Sequence, residues 1–189
     1  MKRVKLILLL FIFSVFLLSS CFKTGQVKVE SGKKVNIEDW HFAFELPSEK
    51  WSLHNKQNDK INGKALYGYK REELTDSKNK KVVSSYIGIV FDKIPKDMDV
   101  IHYSINCRMG VGFEVEKVFT HHDGIISLKN AVGYIGKYID SQNIEHTIIV
   151  VHAIHKQIGV QIIMDTTTEL FPIVENEFNK TLKTLRFTE

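Results

Sequence analysis

The chemistry this chain could carry rests on eight histidines and two cysteines, and on how they are spaced. His121 and His122 stand side by side with Asp123 next, a set that suits zinc only if the backbone bends all three toward one point. Adjacent side chains on an extended chain diverge. They are therefore read as surface residues of a turn, with a metal site as the alternative. His152 and His155 are three apart, which on a strand sends them to opposite faces, so one ion cannot easily take both. No metal or other cofactor is expected. For nucleophilic catalysis there is no Gly-x-Ser-x-Gly elbow, and no motif beside Cys107 nominates a base, so Cys107 is read as a core or helix-packing residue. Gly110 and Gly112 lack the third glycine and the preceding strand of a dinucleotide loop, and are read as the end of a helix. Gly133, Tyr134, Gly136 and Tyr138 could line a shallow groove for a small ligand, although aromatics facing strand glycines are commonly packing.

The other cysteine, Cys21, lies in a different context. Met1 to Lys5 form a positive start, and Leu6 to Leu18 form an apolar run broken only by Ser14. A bilayer-spanning helix needs about 20 apolar residues, whereas runs of about 10–14 belong more often to signal peptides. The run ends in Leu18-Ser19-Ser20-Cys21, which resembles the lipobox of bacterial lipoprotein precursors. That resemblance implies a thioether-linked diacylglycerol on Cys21, cleavage before it, and acylation of the new amino terminus. Two or three chains suffice for stable anchoring where one is marginal. Residues 1–20 are thus expected to be a signal peptide and residues 21–34 a lipidated tether, with residues 35–189 as the domain. Phe22 is not the Asp that marks inner-membrane retention in enteric bacteria, which favours outer-membrane delivery where there are two membranes. The domain is expected in the periplasm or extracytoplasmic space, lipid-anchored to the cell membrane or the outer membrane.

Charge excludes one class of partner. The chain carries 26 basic and 22 acidic residues, and removing Lys2, Arg3 and Lys5 with the leader leaves 23 against 22. Nucleic acid demands clustered Lys and Arg on one face, so none is expected as a partner. The lysines at 78, 80 and 81 fit a solvated hairpin turn.

The elements that must position these residues follow from periodicity. Phe42, Phe44 and Leu46 alternate with Ala43 and Glu45 before Pro47, the pattern of a half-buried strand, and Trp51 is expected in the loop behind it. Residues 65–71 and 82–91 read as two strands joined by Asp76-Ser77-Lys78-Asn79. Met98, Ile101, Ile105 and Met109 share one face of a helix. Residues 113–119, 131–139, 144–154 and 158–164 read as strands in consecutive antiparallel pairing. Phe171, Val174, Phe178 and Leu182 mark a last helix, introduced by Thr166 to Thr168. These elements predict an α+β sandwich, an antiparallel sheet flanked by helices.

Phe42-Ala43-Phe44-Glu45-Leu46-Pro47 with Trp51 behind it, the long central strands, and the ending Leu182-Lys183-Thr184-Leu185-Arg186-Phe187 are similar to the family of PsbP, the Mog proteins and DcrB. The resemblance implies an α/β/α sandwich of PsbP-like type and non-catalytic work in binding or assembling other proteins. With the lipobox it points to a membrane-anchored, non-enzymatic binding or assembly module with an envelope protein as partner. Two alternatives remain open: an immunity protein against an exported toxin, and a metal- or small-ligand-binding lipoprotein.

Overall fold

The computed structural model describes residues 32–59, 61–109 and 112–189, which belong to the second of the chain's two units, Ser31–Glu189. The leader, Leu18-Ser19-Ser20-Cys21 and the tether up to residue 31 lie outside the described residues, as do Gly110 and Val111. The strands are β1 (Lys34–Ile37), β2 (Phe42–Glu45), β3 (Trp51–Asp59), β4 (Lys64–Arg71), β5 (Leu74–Asp76), β6 (Lys81–Val83), β7 (Tyr86–Lys93), β8 (Glu114–Thr120), β9 (Ala131–Ile139), β10 (Glu145–His155), β11 (Ile158–Thr167) and β12 (Arg186–Phe187). Among the described residues two α-helices accompany them, α1 (Val100–Arg108) and α2 (Phe171–Leu182).

One sheet dominates, with seven antiparallel strands in the order β3-β4-β7-β11-β10-β9-β8. The expected consecutive pairing of β8, β9, β10 and β11 holds, and β4 pairs with β7 across the expected hairpin. Strands largely apolar on both sides sit in the middle, and the polar β3 lies at an edge.

On one face, odd residues of β4, β7, β9 and β10 meet even residues of β11: Tyr67, Tyr69, Ile87, Ile89, Phe91, Ile149, Val151, Val160, Ile162 and Met164 are all buried there. The C-terminal layer covers them. α2 buries Val174, Phe178 and Leu182, one residue per turn, and β1, β2 and β12 form a small sheet beside it. Each fully buried Phe contributes about 1.5–3 kcal/mol of transfer free energy, and Phe42, Phe44, Phe91, Phe119 and Phe178 all lie here. The end of α2 and the residues just after it are tied to the β2 backbone by side chains: Thr184 Oγ1 accepts from Glu45 N at 2.9 Å, and Thr181 Oγ1 donates to Glu45 O at 3.0 Å. On the opposite face stands α1, among the described residues the one helix there, packed on β10 and β9. This is the α+β sandwich expected from the element order.

Several expectations are corrected. Trp51 does not sit in a loop but opens β3, buried at its first residue while the rest of the strand is solvated. An edge strand with one covered end needs no apolar alternation, so the pattern was silent. The strand expected over 82–91 is two, because Ser85 turns inward to donate to Thr166 Oγ1 at 3.0 Å and separates the short β5–β6 ribbon from β7. Thr166 and Thr167 belong to β11 and do not cap α2, whose first turn holds Pro172 instead. Lys34 opens β1 and so belongs to the domain; β1 and β12 went unpredicted because each holds few apolar residues.

The largest correction concerns α1. Of the four residues expected on one face, Ile101, Ile105 and Met109 point outward, with exposures of 55%, 53% and 75%, while Met98 precedes the helix and packs against the small cluster beneath it. Tyr103 and Ser104 face the sheet in their place. The floor beneath is only partly apolar: Tyr103 packs with Ile94 and Ile154, and hydrogen bonds complete the docking, Tyr103 Oη donating to Asp92 at 3.1 Å and Ser104 Oγ lying 2.8 Å from both Tyr134 Oη and His152 Nδ1.

Candidate functional site

The face that carries α1 divides into two halves. α1 covers the half built from the end of β10 and the starts of β9 and β11, where Gly159 leaves room for the Tyr103 ring; a Cβ there would meet it at 2.5 Å. The other half is formed by the start of β10, the ends of β4, β9 and β11 and the start of β7. Among the described residues no helix lies over it.

Across this helix-free half runs a band of aromatic and polar side chains, one from each of five strands. Tyr138 of β9 stands opposite His146 of β10, and their rings stack at 5.0 Å and 27°. His146 Nδ1 reaches diagonally to Asp165 of β11 at 2.6 Å. Tyr138 Oη donates to the other oxygen of Asp165 at 2.5 Å. Asp165 pairs in register with Tyr86 of β7, and Tyr86 with Lys70 of β4. Tyr86 lies flat across two strands because Gly68 and Gly88 have no side chains; a Cβ on Gly68 would come within 2.1 Å of the Tyr86 hydroxyl. All five residues are half-buried.

One end of the band is closed by the β9–β10 turn. Asp140 Oδ1 accepts from Gln142 N and Ile144 N, both at 2.8 Å, and Asp140 Oδ2 lies 3.6 Å from His146 Nε2. Gln142 in turn accepts from Lys81 Nζ of β6. His146 is thus held between two carboxylates. The Asp165 hydrogen bond, ahead of the two negative charges, raises its pKa above the ordinary histidine value although burial works the other way. Burial and the bond to Asp165 push the Tyr138 hydroxyl up as well, so it stays a donor.

The histidine under α1 has the opposite character. His152 is fully buried, and burial, with the Arg108 charge second, lowers its pKa to about 4. It is a neutral packing residue bonded to Ser104. That Ser–His pair has no access for a substrate, since both residues are buried, and Ser104 meets Nδ1, with no carboxylate to orient the ring.

The residues singled out in the sequence fall elsewhere. His121 and His122 do turn toward each other, with ring centroids 4.7 Å apart. Asp123 turns back: its Oδ2 accepts from Thr120 N at 2.7 Å and from Thr120 Oγ1 at 3.1 Å, capping the short helical turn His121–Asp123. Among the described residues no group of three or more His, Cys, Asp or Glu gathers in a way that could hold a metal ion. His152 and His155 point to opposite faces as their spacing requires, His155 stacking on Phe187 at 4.8 Å. Cys107 packs against the small cluster under α1, and burial pushes its thiol up. The supposed groove at Gly133 and Gly136 is filled: a Cβ at Gly133 would meet the Phe119 ring at 2.2 Å, and one at Gly136 the Glu114 carbonyl oxygen at 2.2 Å. Of that set, Tyr138 alone joins the band. His146, Asp165, Asp140, Tyr86 and Lys70 were missed; a partial signal existed in Tyr134 and Tyr138 of β9 and His146 and His152 of β10, polar-tipped residues at even positions of strands whose middles are apolar on both faces.

Fold and face together define a class, an α+β sandwich with one sheet face half covered. No protein-family model matches the sequence, and no curated protein does. Solved structures do share the fold. Yeast (Saccharomyces cerevisiae) Mog1p, described as a Ran-binding protein, has a TM-score of 0.52 at 8% identity, covering 85% of this chain and 97% of its own. The cyanobacterial PsbP protein of Synechocystis has a TM-score of 0.50 at 12% identity, covering 86% and 96%. LpqN of Mycobacterium tuberculosis, described as involved in cell envelope biogenesis, has a TM-score of 0.50 at 13% identity, covering 83% and 90%. The domain has the PsbP-like and Mog-like fold.

Proposed function

We propose that this chain is an envelope lipoprotein, anchored through lipid on Cys21, whose domain binds another envelope protein with the helix-free half of its sheet face and performs no catalysis. The observation that carries the reading is the band Tyr138–His146–Asp165–Tyr86–Lys70. A sheet face left without its helix is normally a liability, and this one is furnished with side chains suited to recognition. Tyrosines offer large contact area at low entropic cost and are enriched at protein interfaces. Here both are fixed in place, Tyr138 by its bond to Asp165 and Tyr86 by the glycines beneath it, so little ordering remains to be lost on binding. The fold's other members support a non-enzymatic role, since one is described as Ran-binding and another as involved in envelope biogenesis. The Leu18-Ser19-Ser20-Cys21 motif and the charged, apolar leader support the anchor.

The test uses the full chain in its own membranes, with a photoreactive amino acid placed either at Tyr86 or at exposed Glu175 on α2, in the layer on the opposite face. Crosslinking from position 86 is expected to give one dominant adduct that weakens severalfold when Tyr138 is replaced by alanine, and position 175 is expected to give none. Equal yields from both positions, or none from position 86, would end the reading. In parallel, Cys21→Ser is expected to abolish lipid modification and leave the variant unprocessed; a variant still cut after Ser20 and still carrying lipid mass would rule out the anchor.

A further inference from the structure

The contact network around His146 does more than order the band, because it joins three elements through one ring whose charge depends on pH. Charged His146 has two N–H donors and two acceptors to receive them, Asp165 at 2.6 Å and Asp140 at 3.6 Å. Neutral imidazole has only one N–H. The shorter contact keeps that proton on Nδ1, and the Nε2 lone pair is then left facing the Asp140 carboxylate, so attraction becomes repulsion. Asp140 cannot simply swing away. Its Oδ1 holds the turn through Gln142 N and Ile144 N, so carboxylate and turn move as a unit, and Gln142 also carries the contact to Lys81 on β6.

We propose that His146 is a proton-operated latch: charged, it ties the β9–β10 turn to the sheet, and neutral, it frees the turn and the β5–β6 ribbon behind it, so that partner binding on the open half-face weakens as pH rises. The latch stands on geometry; its effect on a partner rests on the binding role proposed above. The groups that face His146 are Tyr138 from β9, Asp140 from the turn and Asp165 from β11, with Lys81 acting on Asp140 and Asp76 beside Thr167 further out. Tyr138 stays protonated through the range, and the lowered pKa of Asp140, set chiefly by the Ile144 N–H, keeps it charged. His146 is therefore the group whose change of charge would work the latch.

The experiment is a pH titration of the full lipidated protein with 15N-labelled histidine side chains and backbone amides, followed by magnetic resonance. His146 is expected to titrate with a midpoint above 6.5 and to keep its proton on Nδ1 when neutral, and the Gln142 and Ile144 amides are expected to shift with the same midpoint. His146→Gln should make those amides indifferent to pH over that range, while Asp140→Asn, which retains an oxygen for the turn, should bring the His146 midpoint down. Amides that ignore the His146 titration, or that still titrate in His146→Gln, overturn the latch. The position-86 crosslink is then followed between about pH 5 and about pH 8, the range in which histidine changes charge. It should fall severalfold in the wild type and stay level in His146→Gln; a level yield in both, with the amides titrating, overturns the coupling to binding. A crosslink missing at every pH counts against the binding role of the face, and the amide titration alone then decides the latch.

Discussion

Replacing Glu177 with alanine is expected to destabilise the domain by about 3 kcal/mol, since removing one partner of a buried ion pair leaves the other charge without compensation. Arg71 is the charge left behind. Its side chain, 6% exposed, donates from Nε to Glu177 Oε2 at 3.0 Å and from Nη2 to Oε1 at 3.1 Å, the paired geometry of guanidinium on carboxylate. Trp51 Nε1 donates to the same Oε2 at 2.6 Å, so one carboxylate on α2 ties down the outermost strands β3 and β4 together. The alanine variant strands both a guanidinium and an indole N–H. For a domain of this size the loss corresponds to a fall in Tm of about 6–12 °C. Glu177→Gln, which still offers an oxygen to Trp51, should lose less. Thermal unfolding followed by circular dichroism checks the order; an unchanged midpoint in Glu177→Ala would show that the contact contributes nothing.

Stability should also peak near pH 6.5 and fall on both sides, through two different histidines. On the acid side the group is His152. Its pKa is about 4 in the folded state against 6.5 when unfolded, so below pH 6.5 the unfolded chain takes up a proton that the folded one refuses. The stability that neutral His152 contributes is present above 6.5 and lost as pH falls toward 4, amounting to roughly 3 kcal/mol in all. On the alkaline side the group is His146, whose folded pKa is raised. Its contribution is complete below 6.5 and disappears as pH climbs through the folded value. Urea unfolding across this range should show both limbs. His152→Leu should flatten the acid limb and His146→Gln the alkaline one; limbs unaffected by these substitutions would assign the pH dependence to other groups.

The parts of this molecule that were legible in the sequence are those where one side chain pattern answers to one environment. β9, β10 and β11 announced themselves because their middles are apolar on both faces, and α2 because Val174, Phe178 and Leu182 recur on one stripe beneath which the core lies. Periodicity failed where it had to say which way a face turns. Ile101, Ile105 and Met109 share a stripe as their spacing demands, but the floor under α1 is partly polar, and that polarity arises only when β7, β11, β10 and β9 pair in register and bring Asp92, His152 and Tyr134 to one face. The band was hidden for the same reason. His146 and Asp165 are 19 residues apart and meet only diagonally across two strands, a relation set by register. The adjacent His121, His122 and Asp123 drew attention because closeness in sequence is visible, yet their carboxylate serves the turn itself.

The helix-free half of the sheet face is the part of the account on which the proposed role depends most, and lysine footprinting probes it without any knowledge of the partner. Acylation rates of Lys70, which belongs to the band, and of exposed Lys50 and Lys183 are compared between the protein in its native membranes and the protein purified in detergent. Lys70 should react severalfold more slowly in the membrane, with Lys50 and Lys183 unchanged. Equal reactivity of Lys70 in both settings would mean that nothing covers the face where the protein works, and would contradict the account.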